Sequence, residues 1–262
     1  MRRRPAGRVT FGLLTVVGLL AASAADCGAR QTAALSASLT PERLGQPTTI
    51  GFGFRITAAG RQVPSPVTGI KLFYPADLAF ALSELGLAQC TASTLAKHGA
   101  SGCPANSLMG FGTASAEVPF GPSIVHESAR ITVVRAPTEG GHITLLIYVD
   151  GQNPVLAPIA IPGTILEAPS PFGGSLNIAV PLVPTLPGAP DAAVVRFNST
   201  IGPQHLRYRQ RVHGHVIEYQ PRGIPLPSRC PPGGFRFAAT FRFEDGSRTG
   251  ARTAVPCPGR GG

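Results

Sequence analysis

The sequence lacks the short motifs that mark common enzyme classes. It contains no G-x-S-x-G, S-x-x-K, H-E-x-x-H or G-x-x-x-x-G-K-[ST] run, so hydrolases and nucleotide-binding enzymes that carry these motifs are not indicated. A Ser-His-Asp triad assembled from distant residues stays open as an alternative. Tryptophan is absent, and only two of the 23 basic residues are lysines. A GC-rich genome produces such an arginine bias without selection for function.

The N-terminus has the layout of a secretory leader. Four arginines and no acid occur in the first eight residues, an apolar run follows at residues 9–20, and small residues occupy positions 22–25. This order predicts a signal peptide over residues 1–25. The run is shorter than the roughly 20 apolar residues of an ordinary membrane span. We therefore expect a secreted or cell-surface protein with no stable span after cleavage; a leader retained as an anchor is the alternative.

Composition predicts a folded, mostly β domain after the leader. The chain has 32 glycines and 27 prolines, which collect in turns and at strand edges, while 43% of its residues are hydrophobic and can form a core. We expect one domain over residues 26–262. Its predicted fold is all-β, a two-layer antiparallel β-sandwich with a short helical insertion and two local disulfides.

The five cysteines predict disulfides rather than a metal cluster, because an exported chain meets an oxidising compartment and no C-x-x-C pair occurs. Cys90 with Cys103 and Cys230 with Cys257 would each close a short local loop. Each such loop is expected to stabilise the fold by about 3 kcal/mol. Cys27 is left over and is expected to be a free thiol; lipidation is the alternative, although Asp26 stands where a lipidation signal has a small residue.

Alternating apolar residues predict strands at residues 48–56, 67–74, 107–118, 129–136 and 142–150. Leu78, Leu82 and Leu85 have helical spacing and predict a short helix over residues 77–86. A second helical turn is expected at residues 90–97, capped by Thr91 or Ser93 and stopped by Gly99. Nine prolines interrupt residues 153–190, which predicts edge strands and extended loops that cover the domain.

The C-terminal segment predicts a β-hairpin with one apolar face. Five residues of its first arm alternate toward that face: Phe235, Phe237, Ala239, Phe241 and Phe243. Glu244-Asp245-Gly246 supplies the turn, with Gly246 in the left-handed region. Arginines alternate on the opposite face, and Cys230 and Cys257 lie just beyond the open ends of the hairpin.

Two stretches carry a resemblance. Residues 75–116 include Leu85-Gly86-Leu87-Ala88-Gln89-Cys90, then Cys103-Pro104, Ser107 and Gly110-Phe111-Gly112; residues 230–258 run from Cys230-Pro231 to Cys257-Pro258. The chain resembles uncharacterised secreted β-rich proteins of soil actinobacteria, which have a leader, a C-x(n)-C-P-x-x-S-x-x-G-x-G segment and a terminal cysteine-bracketed hairpin. That group often has Trp where this chain has Phe235. The resemblance implies export and a β-rich fold, and it supplies no catalytic residue.

His213 and His215 are the sharpest candidate metal ligands, because two imidazoles at alternate strand positions can share an ion. Glu218 could be a third ligand, but in an unbroken strand its side chain would point to the face opposite that of His213 and His215. The favoured interpretation makes His213-Gly214 the turn of a hairpin with arms at residues 206–212 and 216–219. No cofactor is indicated.

Charge places the candidate binding surface in the C-terminal quarter. Without the leader's four arginines, 19 basic and 13 acidic residues leave a net charge of +6. Arg207, Arg209 and Arg211 alternate along one predicted arm, and such a stripe can bind phosphate or carboxylate polymers. A solvated face that protects a sheet edge is the favoured alternative. Nucleic acid is a poor partner, because the protein is exported and has few aromatic residues outside apparent core positions.

Together these features predict an exported, non-enzymatic binding or structural protein of the cell envelope or the surrounding medium. Its partners would be anionic envelope polymers that contact the arginine face. A secreted metal-dependent or hydrolytic enzyme is the alternative function.

Overall fold

The computed structural model describes residues 31–78 and 82–258; the predicted signal peptide and Cys27 lie outside these residues. The described chain forms fourteen strands, one α-helix and a few short 3-10 turns. The elements are β1 (Gln31–Thr40), β2 (Pro47–Ala58), β3 (Val67–Pro75), α1 (Ala92–His98), β4 (Leu108–Phe120), β5 (Ser123–Arg135), β6 (Thr144–Asn153), β7 (Pro158–Leu166), β8 (Phe172–Ala179), β9 (Ala193–Ile201), β10 (Tyr208–Val212), β11 (His215–Tyr219), β12 (Ile224–Pro225), β13 (Phe235–Phe243) and β14 (Arg248–Val255).

Most strands belong to one large antiparallel sheet. Its order is β1-β2-β9-β4-β5-β6-β7-β8-β3-β13-β14, and the short β12 pairs with the beginning of β2. β10 and β11 form a separate two-stranded hairpin. Two strands enter the sheet far from their sequence neighbours, since β9 pairs with β2 and β4 while β3 pairs with β8 and β13.

The large sheet curls until its first and last strands lie side by side. β1 and β14 are neighbours in space, and the amide Nε2 of Gln31 in β1 donates a hydrogen bond to Asp245 Oδ2 in the β13–β14 turn at 2.7 Å. The sheet is therefore nearly closed, and its two halves face each other across a common interior. The predicted all-β antiparallel fold with a short helix and two disulfides is confirmed.

The two ends of the nearly closed sheet differ in what covers them. At the end where β2, β4, β6, β8 and β13 begin lie the long connections at residues 76–107 and 202–234. We call this the capped end. The other, far end carries the β4–β5 turn, the β6–β7 loop at residues 154–157 and the β8–β9 loop at residues 180–192.

Buried side chains from the long connections fill the capped end. Leu206, Tyr208 and Ile224 are fully buried there and belong to the main core. The hydroxyl of Tyr208 donates to the carbonyl oxygen of Leu108 and accepts from the amide N–H of Gly86 at 2.9 Å. Burial raises the pKa of Tyr208 to about 12, so this phenol stays neutral and keeps its donor.

The α1 helix packs on the outside of the sheet near the capped end. The Thr91 side chain caps its N-terminus by accepting from the Thr94 amide at 3.1 Å, and Gly99 ends it, as predicted. Leu95 is fully buried in a small cluster that includes Cys90. The predicted disulfide between Cys90 and Cys103 is present, with Cα atoms 5.4 Å apart.

The C-terminal hairpin forms as predicted. The five apolar residues of β13 that share the inner face are all buried, and Arg236 and Arg242 on the outer face are exposed. Gly246 has a φ of 80° in the turn, a backbone conformation that glycine adopts without steric cost. The predicted disulfide joins Cys230 to Cys257, with Cα atoms 6.0 Å apart.

The prediction of edge strands and covering loops at residues 153–190 is wrong for residues 158–166 and 172–179, which form β7 and β8. β7 pairs with β6 and β8, and β8 also pairs with β3, so both strands lie inside the sheet. Proline fits because it occurs where β7 has one neighbour only: Pro158 is its first residue, and pairing with β8 begins at Gly163, after Pro162. Residues 180–192 do form a loop.

The described parts of the segment predicted as a helix, residues 77–78 and 82–86, contain no α-helix. Glu84 and Gly86 have φ values of 54° and 66°, which no right-handed helix contains. Leu78 and Leu85 are buried as expected, but Leu82 is 70% exposed.

Over the described residues, no helix is long and apolar enough to cross a membrane.

Candidate functional site

The interior of the nearly closed sheet contains a cavity of about 180 Å³. We call it the lumen. Nine strands contribute to its wall: β2 to β9 and β13. The aliphatic part of the lining comes mainly from β5 to β8: Ile131, Val133, Leu145, Ile147, Val149, Ile161, Ile165, Leu176 and Ile178.

The lumen exists because one side of the interior is filled and the other is not. On one side the phenyl ring of Phe54 stacks on that of Phe197, with ring centroids 5.4 Å apart, and meets the edge of Phe241 at 5.0 Å. The opposite wall is built of smaller aliphatic side chains that do not reach this cluster. The interior of a closed sheet grows with strand number, and about eight strands are the most that side chains alone fill. Eleven strands follow one another around this sheet.

The lumen is almost entirely apolar. Among the described residues that line it, Tyr74 and Ser199 alone carry polar side-chain groups. Burial raises the pKa of Tyr74, so its phenol is neutral at physiological pH. Several wall residues, including Val149, Ile161 and Ile178, are only half-buried although they face inward. Their inner surfaces are therefore not covered by other side chains, as they would be in a packed core.

A second cavity of about 110 Å³ lies at the far end and shares part of the lumen wall. The shared residues are Ala114, Val149, Ile161, Val180 and Val194. Polar groups line its remaining part, including those of Glu127, Ser128 and Thr185. We call this second cavity the vestibule, because it lies between the apolar lumen and the loops of the far end.

Two polar atoms of the vestibule are buried without a hydrogen-bond partner. They are Oε1 of Glu127, in β5, and Oγ1 of Thr185, in the β8–β9 loop. Glu127 lies on the inner face of β5 because it alternates with Ala129 and Ile131, which also line the two cavities. The neighbouring His126 points outward and lies 3.5 Å from Glu117 of β4. The vestibule is thus lined by two residues whose hydrogen-bonding capacity is not used within the described part of the protein.

Exposed apolar side chains surround the far end. Phe120 and Ile124 flank the β4–β5 turn, Leu156 is in the β6–β7 loop and Leu182 is in the β8–β9 loop. Their exposed fractions range from 41% to 78%. These loops include Val155 and Val183, which line the vestibule. The loops at the rim of the vestibule therefore expose apolar side chains to solvent and also contribute apolar side chains to its lining.

The structure places the predicted arginine stripe on the β10–β11 hairpin and just before it. Arg207, Arg209 and Arg211 are all exposed. The side chain of Arg209 already has a partner within the hairpin, because its Nε donates to Glu218 Oε1 at 2.9 Å. The backbone of Arg209 also forms two hydrogen bonds with the side chain of Asn106. Among the described residues, Arg207 and Arg211 have no acidic partner, although Nη1 of Arg207 donates to the carbonyl oxygen of Leu206 at 3.2 Å.

His213 and Gly214 form the two-residue turn of this hairpin, with φ values of 49° and 84°. Positive φ at both central positions is typical of a tight hairpin turn. His215 pairs with Val212 at the first position of β11, and both imidazoles are on exposed residues. Glu218 pairs with Arg209. Within residues 31–78 and 82–258, no group of three His, Cys, Asp or Glu residues is arranged to hold a metal ion.

Sequence reasoning missed the lumen and the vestibule, although it found many of their strands. The alternating residues at 48–56, 67–74 and 142–150 predicted an inner face but not an unfilled interior. In β7, the alternation of Ile159, Ile161 and Ile165 indicates an inner face, but Pro158 and Pro162 favoured the prediction of an edge strand. No family model, curated protein or solved structure matches this chain, and its site is therefore interpreted from its own geometry.

Proposed function

We propose that this is an exported, non-enzymatic binding protein that holds an apolar small molecule in the lumen. The observation that carries the proposal is the apolar cavity of about 180 Å³. An engineered cavity of about 150 Å³ with a similar lining stays dry and binds benzene. The lumen is larger than that cavity and shares wall residues with the vestibule.

The energetic cost of an empty lumen also supports a ligand. Unfilled cavities destabilise proteins by roughly 24 cal/mol per Å³, so a void of this size corresponds to about 4 kcal/mol. Native stabilities are only about 5–15 kcal/mol. An apolar ligand restores the missing dispersion contacts and removes its own apolar surface from water.

The chemistry of the lining supports binding over catalysis. Its polar groups, Tyr74 and Ser199, are hydroxyls, and its described lining includes no carboxylate, imidazole or amine. General acid–base catalysis usually uses such groups with pKa values near neutrality. Export is supported by the leader-like N-terminus and by two disulfides, which persist in oxidising compartments.

Filling the lumen should abolish binding of an apolar probe. The fluorescence of N-phenyl-1-naphthylamine rises in apolar surroundings, and we expect it to rise with the mature protein. Ala114 lines both cavities and faces inward from β4, so Ala114→Phe should weaken probe binding at least tenfold. Ile161→Phe tests a second wall position.

The matched control is Thr113→Phe, since Thr113 is the exposed outward neighbour of Ala114. This variant should bind the probe as the wild-type protein does. Circular dichroism and thermal melting identify variants that are not folded. Absence of probe binding to the wild-type protein, or unchanged binding in both folded lumen variants, would contradict the proposed function.

A second proposal concerns the β10–β11 hairpin. We infer that Arg207 and Arg211 contact anionic envelope polymers, because both are exposed and Glu218 pairs with Arg209 alone. Cosedimentation of the mature protein with isolated envelopes should fall as salt rises, and it should fall in a variant with both arginines changed to Gln. An Arg209→Gln variant is the control and should cosediment nearly as well as the wild-type protein. Salt-independent cosedimentation would count against this contact.

A further inference from the structure

We propose that the vestibule recognises the hydrogen-bond-donating head of an amphiphile whose aliphatic tail occupies the lumen. The ligand class is a single-chain molecule with an alcohol or ammonium head. This inference rests on the proposed function, because the tail requires the lumen. It adds a second site, with Glu127 and Thr185 as its recognition groups.

The adjacency of the two cavities, which share wall residues, gives the ligand its shape. Val149 of β6 and Ile161 of β7 line both the lumen and the vestibule. A molecule that extends along these two strands passes from apolar surroundings into a region with polar side chains. An extended chain with one polar end matches this change, whereas a compact hydrocarbon would leave the vestibule empty.

The unpartnered oxygens give the head its chemistry. A buried polar atom without a hydrogen bond is costly, and native structures have few of them. Oε1 of Glu127 and Oγ1 of Thr185 are two such atoms, and both residues line the vestibule. A carboxylate oxygen accepts hydrogen bonds and cannot donate, so the head must donate to Glu127. The hydroxyl of Thr185 both donates and accepts, which suits an alcohol.

Charge gives the direction of selectivity. The negative charge of Glu127 attracts an ammonium head and repels a carboxylate head, and both effects are stronger in a partly buried site than in water. Among the residues that line the vestibule, Glu127 is the one charged side chain. A fatty acid should therefore bind more weakly than an alcohol or amine of equal chain length.

Displacement of N-phenyl-1-naphthylamine by three ligands with the same ten-carbon tail tests this selectivity. Decanol and decylammonium should displace the probe from the wild-type protein at concentrations at least fivefold lower than decanoate. Glu127→Gln should remove most of the preference for decylammonium over decanoate. Thr185→Val, which removes only the hydroxyl, should weaken decanol about threefold or more.

Glu117→Gln is the matched control, because it removes a carboxylate from the outer face of the neighbouring strand, where Glu117 lies near His126. It should leave the order of the three ligands unchanged. If the probe fails to bind the wild-type protein, the proposed function itself fails. If the probe binds but the three ligands displace it equally, or if Glu127→Gln keeps the wild-type preference, the head site is overturned and the lumen remains.

Discussion

Phe241→Ala should lower the free energy of unfolding by about 3–5 kcal/mol, the range observed when a buried phenylalanine is truncated in a packed core. Phe241 is fully buried in the middle of β13, and its ring meets the edge of Phe54 from β2. These strands approach each other across the seam formed by β1 and β14. The ring therefore packs between the two ends of the sheet, and its loss should destabilise the whole fold. Urea denaturation followed by circular dichroism measures this difference.

Arg242→Ala is the control for this substitution. Arg242 is the next residue of the same strand, but its side chain is exposed on the outer face. Its truncation should change stability by no more than about 0.5 kcal/mol. Comparable losses in the two variants would mean that β13 does not present Phe241 to the interior, and the described seam would then be incorrect.

Removal of the Cys230–Cys257 disulfide should cost about 3–4 kcal/mol. The bond spans 27 residues, and the estimate follows from the chain entropy that such a loop removes from the unfolded state. It lies at the open ends of β13 and β14, and β14 forms one side of the seam with β1. We therefore expect the double variant Cys230→Ala and Cys257→Ala to unfold at a lower urea concentration.

The other disulfide provides an internal comparison. Cys90 and Cys103 are 13 residues apart, so the same reasoning gives about 3 kcal/mol for their replacement by alanine. This bond fastens α1 to the outside of the sheet and lies away from the seam. Probe binding in the lumen should survive its removal at temperatures where the protein stays folded. If the double variant Cys230→Ala and Cys257→Ala were as stable as the wild-type protein, the stabilising role assigned to this disulfide beside the seam would be contradicted.

Local features of the fold were predictable because each depends on residues that are close in sequence. The C-terminal hairpin combines alternating phenylalanines, a turn with Gly246 and a cysteine at each open end, all within residues 230–257. The His213-Gly214 turn is equally local. Once this two-residue turn is placed, the register brings Arg209 opposite Glu218. The pairing that weakens the arginine stripe could therefore have been derived from the sequence.

The errors came from features that depend on distant residues. β7 and β8 were predicted as edge strands because proline is generally excluded from the central strands of a sheet. Their place in the sheet depends on β3, which supplies a second neighbour to β8 from about 100 residues earlier in the chain. The prediction for residues 77–86 failed for a related reason. Leu78 and Leu85 are buried by tertiary contacts at the capped end, without the helix that their spacing indicated.

The sequence by itself determined that the chain is all-β, which residues of β2 and β13 share one buried face, where the C-terminal hairpin turns and which cysteines pair. Alternation, turn chemistry and short loop closure are local properties of the chain. The tertiary structure alone decided that eleven strands follow one another around the sheet, that its interior is unfilled between Phe54 and the aliphatic wall, and that Glu127 faces a cavity. Alternation identifies the inner face of a strand, but the space in front of that face depends on how many strands enclose it and on which side chains lie opposite.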